Sequence, residues 1–202
     1  MMEGYIKFNC IWEQKEIQIE PSLLIELESA RTRLYELGLI GMYPDGIGFG
    51  NISVKSDKGS PFIITGSATG QFKKLKPSHY AQVTGYNFAQ NTISCTGQTK
   101  ASAESLSHAA VYESIPEVGA VVHIHCLWLW EKLMNSNLTT SREVEYGTPE
   151  MAEAIQHLIS VMKTDEKVIV MGGHREGILA FGCNLTETTD QIIKIYNNYQ
   201  ND

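Results

Sequence analysis

No apolar run in the 202-residue sequence approaches the length of about 20 residues that a membrane-spanning helix requires. The N-terminus, Met1-Met2-Glu3-Gly4-Tyr5-Ile6-Lys7, lacks the pattern of a secretory signal peptide, so the cytoplasm is the expected location. Cysteine is scarce: Cys10, Cys95, Cys126 and Cys183 are scattered with no C-x-x-C pair, which fits reduced thiols better than a disulfide framework or a cysteine zinc site. Positive charge is short as well. A net charge of -7 argues against nucleic acid, because binding a phosphate backbone needs a basic face. The one basic cluster, Lys73-Lys74-Leu75-Lys76, reads either as a solvated face or as an attraction for an anionic substrate. Internal repeats and low-complexity linkers are missing too, and one domain over residues 1–202 is the simplest organisation.

What is present alternates between two periodicities. Tyr5 to Trp12 and Glu16 to Glu20 predict an N-terminal hairpin within residues 1–20. Pro21-Ser22 opens an amphipathic helix that runs through Leu37 and stops at Gly38. Strands are predicted at Asn51 to Ser56, Phe62 to Thr65, Ala81 to Asn87 and Thr92 to Thr96, with a turn at Asp57-Lys58-Gly59. Helices are predicted near Ser102 to Ser114, Pro149 to Met162 and Thr186 to Asn198. An α/β fold with helices on both faces of a mixed sheet buries such elements economically. Gly46-Ile47-Gly48-Phe49-Gly50 looks like a dinucleotide fingerprint only superficially, since it follows a helix and leads into a strand; that motif is rejected.

The most informative segment is Gly119-Ala120-Val121-Val122-His123-Ile124-His125, which reads as a buried strand. Side chains alternate faces along a strand, so His123 and His125 point one way and Ile124 the other. Two imidazoles on one face suit a transition metal, or else two hydrogen-bonded polar residues at a sheet edge. A third ligand is offered by His174, at a glycine-rich connection between the apolar runs Lys167 to Met171 and Gly177 to Gly182. Glu104 is a fourth candidate. Ser102 reads as an N-cap, which places Glu104 in the first helical turn, where the helix dipole favours an ionised carboxylate. His108, four residues on, is either a partner of Glu104 at a metal site or a packed, hydrogen-bonded helix residue.

The ordered motifs Gly50-Asn51-Ile52-Ser53-Val54, Ile64-Thr65-Gly66-Ser67-Ala68-Thr69-Gly70, Ser102-Ala103-Glu104, His123-Ile124-His125, Gly147-Thr148-Pro149-Glu150-Met151-Ala152 and His174 resemble the class II aldolase/adducin family. The resemblance runs from about Pro21 to the C-terminus. It implies a three-layer α/β/α sandwich with a central mixed, mostly antiparallel sheet. It also implies three zinc-binding histidines, His123, His125 and His174, with Glu104 touching the metal at rest and then acting as acid/base. Asn51, Thr69 with Gly70, and Ser102 match positions that hold the substrate phosphate in the sugar-phosphate aldolases of that family. Homotetramers with active sites between subunits are implied as well.

Several residues depart from the family pattern. Ala103 stands where a phosphate-binding serine is usual, and the loop from Thr65 to Gly70 looks longer than in the aldolases. A phosphate dianion needs several donors to replace its water, so the lost hydroxyl weakens the case for a phosphate in the usual place. Cys126 follows the H-x-H where serine is common. His174-Arg175-Glu176-Gly177 replaces the usual His-Gly, putting a charged pair beside the expected metal; Arg175 reads as an anion contact or as a solvated turn residue. Trp128 and Trp130 read as pocket lining or as core and subunit contact. Tyr196 and Tyr199 either reach a neighbour's site or pack within the terminal helix.

With the resemblance, these residues lead to the expectation of a zinc-dependent lyase of the aldolase type. It would cleave or form a carbon–carbon bond beside the carbonyl of a small hydroxy-ketone or keto-sugar phosphate, with the metal as Lewis acid for the enediolate and Glu104 moving the proton. A dehydratase or epimerase on the same scaffold is the enzymatic alternative. An adducin-like binding module without chemistry is the alternative from another class.

Overall fold

The computed structural model of the chain describes residues 5–55, 61–134, 138–163 and 167–200. The expected turn at Asp57-Lys58-Gly59 lies outside them, as do Met1 to Gly4.

Alternation along the strands produces three layers. On β8 (Ala120–His125), Val122 and Ile124 belong to one apolar cluster and Val121 to another. Ile178 and Ala180 are divided in the same way from Leu179 and Phe181 on β11 (Gly177–Gly182). Against the first face pack Leu27, Ala30 and Leu34 of α1 (Pro21–Glu36), Leu129 and Leu133 of α3 (Leu127–Leu133), and Leu185 and Ile192 of α5 (Leu185–Gln200). Against the second pack Leu106, Ala109, Ala110, Val111 and Tyr112 of α2 (Ser105–Ser114) and Met151, Ala152, Ile155 and Ile159 of α4 (Pro149–Val161). Both faces of the central strands are covered, which is why these strands read as continuous apolar runs.

The remaining strands are β1 (Asn9–Gln14), β2 (Gly41–Met42), β3 (Gly48–Phe49), β4 (Asn51–Lys55), β5 (Phe62–Thr65), β6 (Tyr80–Asn87), β7 (Thr92–Gly97), β9 (Leu138–Thr139) and β10 (Val168–Val170). The main sheet has nine strands in the order β1-β7-β6-β5-β4-β8-β11-β10-β9, and β2 and β3 form a small separate ladder. Pairing is antiparallel except at the two edges, where β1 runs parallel to β7 and β9 parallel to β10. This is the mixed, mostly antiparallel sheet that the sequence led us to expect.

Three local expectations are corrected. The N-terminal hairpin does not form: Asn9–Gln14 is a strand, but it adds to β7 in parallel, and residues 15–20 carry no strand. Long-range pairing with Thr92 to Gly97, and Trp12 Nε1 donating to the Gly97 carbonyl at 2.9 Å, outcompete a local turn. Ser102 is not the helix N-cap, because the helix begins at Ser105 and Glu104 occupies the cap position. The helix α3 was not expected; its two tryptophans mask the periodicity.

Candidate metal centre and substrate cleft

The register around β8 builds the site. Asn51 on β4 pairs with His123, and Gly177 on β11 pairs with His125, so the ladder presents two imidazoles, an amide and a missing side chain on one face. A Cβ added at Gly177 would stand 3.0 Å from the Cγ and Nδ1 of His174 and 3.1 Å from His123 Nε2. That glycine leaves the space into which two consecutive turns, closed by His174 N–H to the Met171 carbonyl and Gly177 N–H to the His174 carbonyl, aim His174. The ligand nitrogens of His123, His125 and His174 all lie within 4.8 Å of one another, and all three residues are buried.

Burial keeps the strand pair neutral. Desolvation first, and then the neighbouring imidazoles, hold His123 and His125 well below the ordinary histidine range. Neutral imidazole is the form that ligates a metal. His123 Nδ1 lies 3.3 Å from the Asn51 amide, while Asn51 Oδ1 and His123 Nε2 are buried without a hydrogen-bond partner. With the amide turned so that Oδ1 accepts from Nδ1–H, one orphan is satisfied and the Nε2 lone pair is aimed at the cluster. His125 is held by Tyr43, whose hydroxyl lies 2.9 Å from Nδ1, and by the Phe49 ring stacked at 5.4 Å. Tyr146 stacks on His174 at 4.4 Å.

Glu104 is 3% exposed, so its carboxylate has lost bulk water. Oε2 accepts from Ser107 Oγ at 2.8 Å, whereas Oε1 is buried with no hydrogen-bond partner and stands 3.8 Å from His174 Nδ1. A buried carboxylate oxygen without a hydrogen bond, facing a buried imidazole nitrogen, is costly unless a cation or a proton joins the two. The donor set therefore fits a divalent ion with three nitrogens and a nearby, displaceable carboxylate. His108 stands outside this group. Its Nδ1 is 2.7 Å from Ser53 Oγ, which also contacts the Tyr112 hydroxyl at 2.8 Å, and full burial lowers its pKa to about 3. It is the packed, hydrogen-bonded helix residue.

A cleft of about 230 Å³ opens onto the histidines. Asn51, Thr69, Gly70 and Ser102 all line it, together with Ser67, Ala68, Ala103 and Tyr146. Thr69 Oγ1 is committed to the Gly66 carbonyl at 2.8 Å, so the hydroxyl shapes the loop. Gly70 is a matter of close approach: a Cβ there would sit 2.1 Å from the Gly41 carbonyl oxygen and 2.7 Å from Gly48 Cα. The loop is also pinned from behind, where buried Arg31 donates to the Thr69 carbonyl at 3.2 Å and the Lys73 carbonyl at 2.9 Å. Glu28 accepts from Leu75 N–H and from the Tyr80 hydroxyl, both at 3.0 Å. No cationic side chain lines this cleft among the described residues; Arg175 lines an adjoining one with Tyr43, Glu145 and Glu176.

Sequence reasoning did not single out Tyr43, Phe49, Tyr146, Arg31 or Glu28. Aromatic residues flanking glycines in the loop from Gly41 to Gly50 were the available signal for Tyr43 and Phe49. Trp130 is buried and donates to the Met171 carbonyl at 2.9 Å, and Tyr196 packs on Trp128 at 5.3 Å. Both tryptophans therefore belong to the α3 packing. Lys73 pairs with Glu36 at 2.9 Å on the surface. No helix among the described residues is long and apolar enough to cross a membrane.

Comparison with known proteins bears on the fold and the family. The YgbL protein of Klebsiella pneumoniae, described as a putative aldolase/epimerase/decarboxylase, superposes with a TM-score of 0.65 at 18% identity, covering 89% of this chain and 87% of that one. An L-fuculose 1-phosphate aldolase gives 0.64 at 20% identity, covering 91% and 88%. The L-fuculose-1-phosphate aldolase of Thermus thermophilus gives 0.61 at 21% identity, covering 90% and 94%. At these identities the likeness establishes the fold. No curated protein sequence matches the chain. Residues 42–198 match the model of the class II aldolase and adducin N-terminal domain, and the chain belongs to that family.

Proposed function

We propose that the chain is a metal-dependent lyase of the class II aldolase type, acting beside the carbonyl of a small hydroxy-ketone or keto-sugar phosphate. The observation that carries the reading is the convergence of three buried histidine nitrogens within 4.8 Å beside the unpartnered Glu104 Oε1. His123, His125 and His174 would hold the ion, with zinc the expected metal and Glu104 its fourth, displaceable contact. A divalent ion there supplies Lewis-acid stabilisation of negative charge on a substrate oxygen.

The chain's own residues supply the rest. Glu104 Oε1 takes or returns the proton next to the carbonyl, while Ser107 holds Oε2 and thereby fixes the direction of Oε1. Asn51, Ser102 and the loop at Thr69 and Gly70 anchor the substrate, with Thr69 contributing through the loop shape that its hydroxyl maintains. Tyr146 walls the cleft against water. The proposal extends to a homotetramer and to a cytoplasmic location.

The test is metal content per chain, followed by product analysis of the metal-loaded protein on a panel of keto-sugars and keto-sugar phosphates. Near one ion per chain, with an aldehyde and a three-carbon ketone as products, supports the aldolase. A dehydrated diketone or an inverted sugar replaces it with the dehydratase or epimerase. No retained metal and no turnover would leave the adducin-like binding module.

A further inference from the structure

The turn that carries His174 contains a residue in a costly conformation. Gly177 N–H bonds to the His174 carbonyl at 2.8 Å, so Arg175 and Glu176 are the central residues of a four-residue turn. Glu176 has φ +76°, the left-handed value that this turn position normally reserves for glycine. A side chain with a β-carbon is strained there, and such strain persists where the surroundings over-determine the conformation. The Glu176 side chain reaches back across the site: Tyr43 donates its hydroxyl hydrogen to Glu176 Oε2 at 2.7 Å, and the same hydroxyl oxygen lies 2.9 Å from His125 Nδ1. The Glu176 carbonyl meanwhile accepts from Cys126 N–H at 3.0 Å, fastening the turn to the residue after His125.

The hydrogens in this chain can be assigned by elimination. A hydroxyl has one hydrogen, and Tyr43 gives it to the carboxylate, which can only accept. The Tyr43 oxygen must therefore accept from His125, so Nδ1 carries the proton and the Nε2 lone pair points at the cluster. We propose that Glu176, acting through Tyr43, is a positioning residue that sets the tautomer and ring orientation of His125 for metal binding. The inference rests on the three-histidine reading of the site. It explains why a strained glutamate replaces the glycine favoured by the turn: the strain is the cost of a carboxylate–tyrosine–histidine relay behind one ligand.

The test compares wild type with Tyr43→Phe, Glu176→Gly, Glu176→Gln and the Tyr43→Phe/Glu176→Gly double variant. Zinc affinity is measured by competition with a chelator, and the imidazole tautomer of the metal-free full-length protein by long-range nitrogen–proton NMR. Tyr43→Phe and Glu176→Gly should each weaken zinc by about 10–100-fold. The double variant should be no weaker than the worse single by more than about twofold, because both break one relay. Glu176→Gln, whose amide oxygen still accepts, should restore most of the affinity. Glu176→Gly should raise the melting temperature of the metal-free protein by relieving the turn, so a loss of zinc cannot be blamed on damage to the fold. In metal-free wild type His125 should carry its proton on Nδ1, and Tyr43→Phe should mix the tautomers. The relay is overturned if both single variants bind zinc within about twofold of wild type, or if wild-type His125 carries its proton on Nε2. A wild type that holds no zinc, yet loses the Nδ1–H tautomer in Tyr43→Phe, would support the relay and refute the three-histidine reading instead.

Discussion

The two faces of β8 are built from one stretch of chain and obey different rules. Val122 and Ile124 point toward α1, α3 and α5, into an apolar cluster, and the buried polar residues of those helices, Arg31, Thr188 and Thr189, are not part of the histidine site. Val121, His123 and His125 point toward α2 and α4, where Asn51, Ser53, Ser107, His108 and Glu104 are buried beside the apolar residues. On the first face stability comes from area removed from water, which is non-directional and tolerates shape-preserving exchange. On the second, every polar atom needs a partner of a given type and direction, or an ion in place of one. One face of β8 packs on apolar neighbours along its length, the other passes from apolar packing at Val121 to the polar cluster at His123 and His125, and substitutions should separate the two.

The largest separation is expected from His123→Ala, which removes a proposed metal ligand from the face that carries the polar cluster. Bound metal should fall from about one ion per chain to essentially none, while circular dichroism and the unfolding transition persist. Elemental analysis after desalting checks this, and retained metal would remove His123 from the ligand set. Glu104→Gln keeps the shape and loses the carboxylate proposed to move the proton. Turnover of whichever substrate the panel identifies should drop about 10²- to 10⁴-fold, with metal content intact. Unchanged kcat would end the acid/base role.

Ile124→Ala is the complement on the opposite face. Truncating this fully buried side chain should cost about 2–5 kcal/mol in urea unfolding and leave zinc affinity of the folded protein nearly unchanged. A large loss of affinity with little loss of stability would collapse the distinction between the faces. A smaller effect is expected from pH. His108 has a folded pKa of about 3, below the unfolded value of about 6.5. Between these values the unfolded chain binds the extra proton. Its contribution is therefore complete above about pH 6.5 and is lost as pH falls toward about 3, by about 2 kcal/mol between pH 7 and pH 5. His123 and His125 act in the same direction. Urea titrations of metal-free protein at the two pH values check the slope, and His108→Gln should flatten it by one histidine's share.

The polar face was also the more legible one in the sequence. The H-x-H spacing alone specifies that His123 and His125 share a face, because strand side chains alternate with a period of two, and the register bears this out. The four long helices and most strands were readable for the same reason: periodicity is a local property. The turn at His174 was readable from its glycines. What could not be read was anything that depends on residues far apart in sequence. The strand Asn9–Gln14 was expected to fold back on its neighbours, and it joins Thr92–Gly97 instead. Tyr43 and Glu176 are separated by 133 positions, and nothing in either segment announces that the two side chains meet over His125. Arg31, on a helix that looked merely amphipathic, is buried against two loop carbonyls.

By itself, then, the sequence determined the periodic elements, the shared face of two histidines and the ordered motifs of a family. The tertiary structure alone decided that His174 completes the cluster beside Glu104, that His108 stays out of it, and that Tyr43 links His125 to Glu176. The physical reason is the range of the interactions. Side-chain alternation and capping act over a few residues, whereas the closing of the histidine cluster depends on register and on a glycine gap set by strands far apart in the chain.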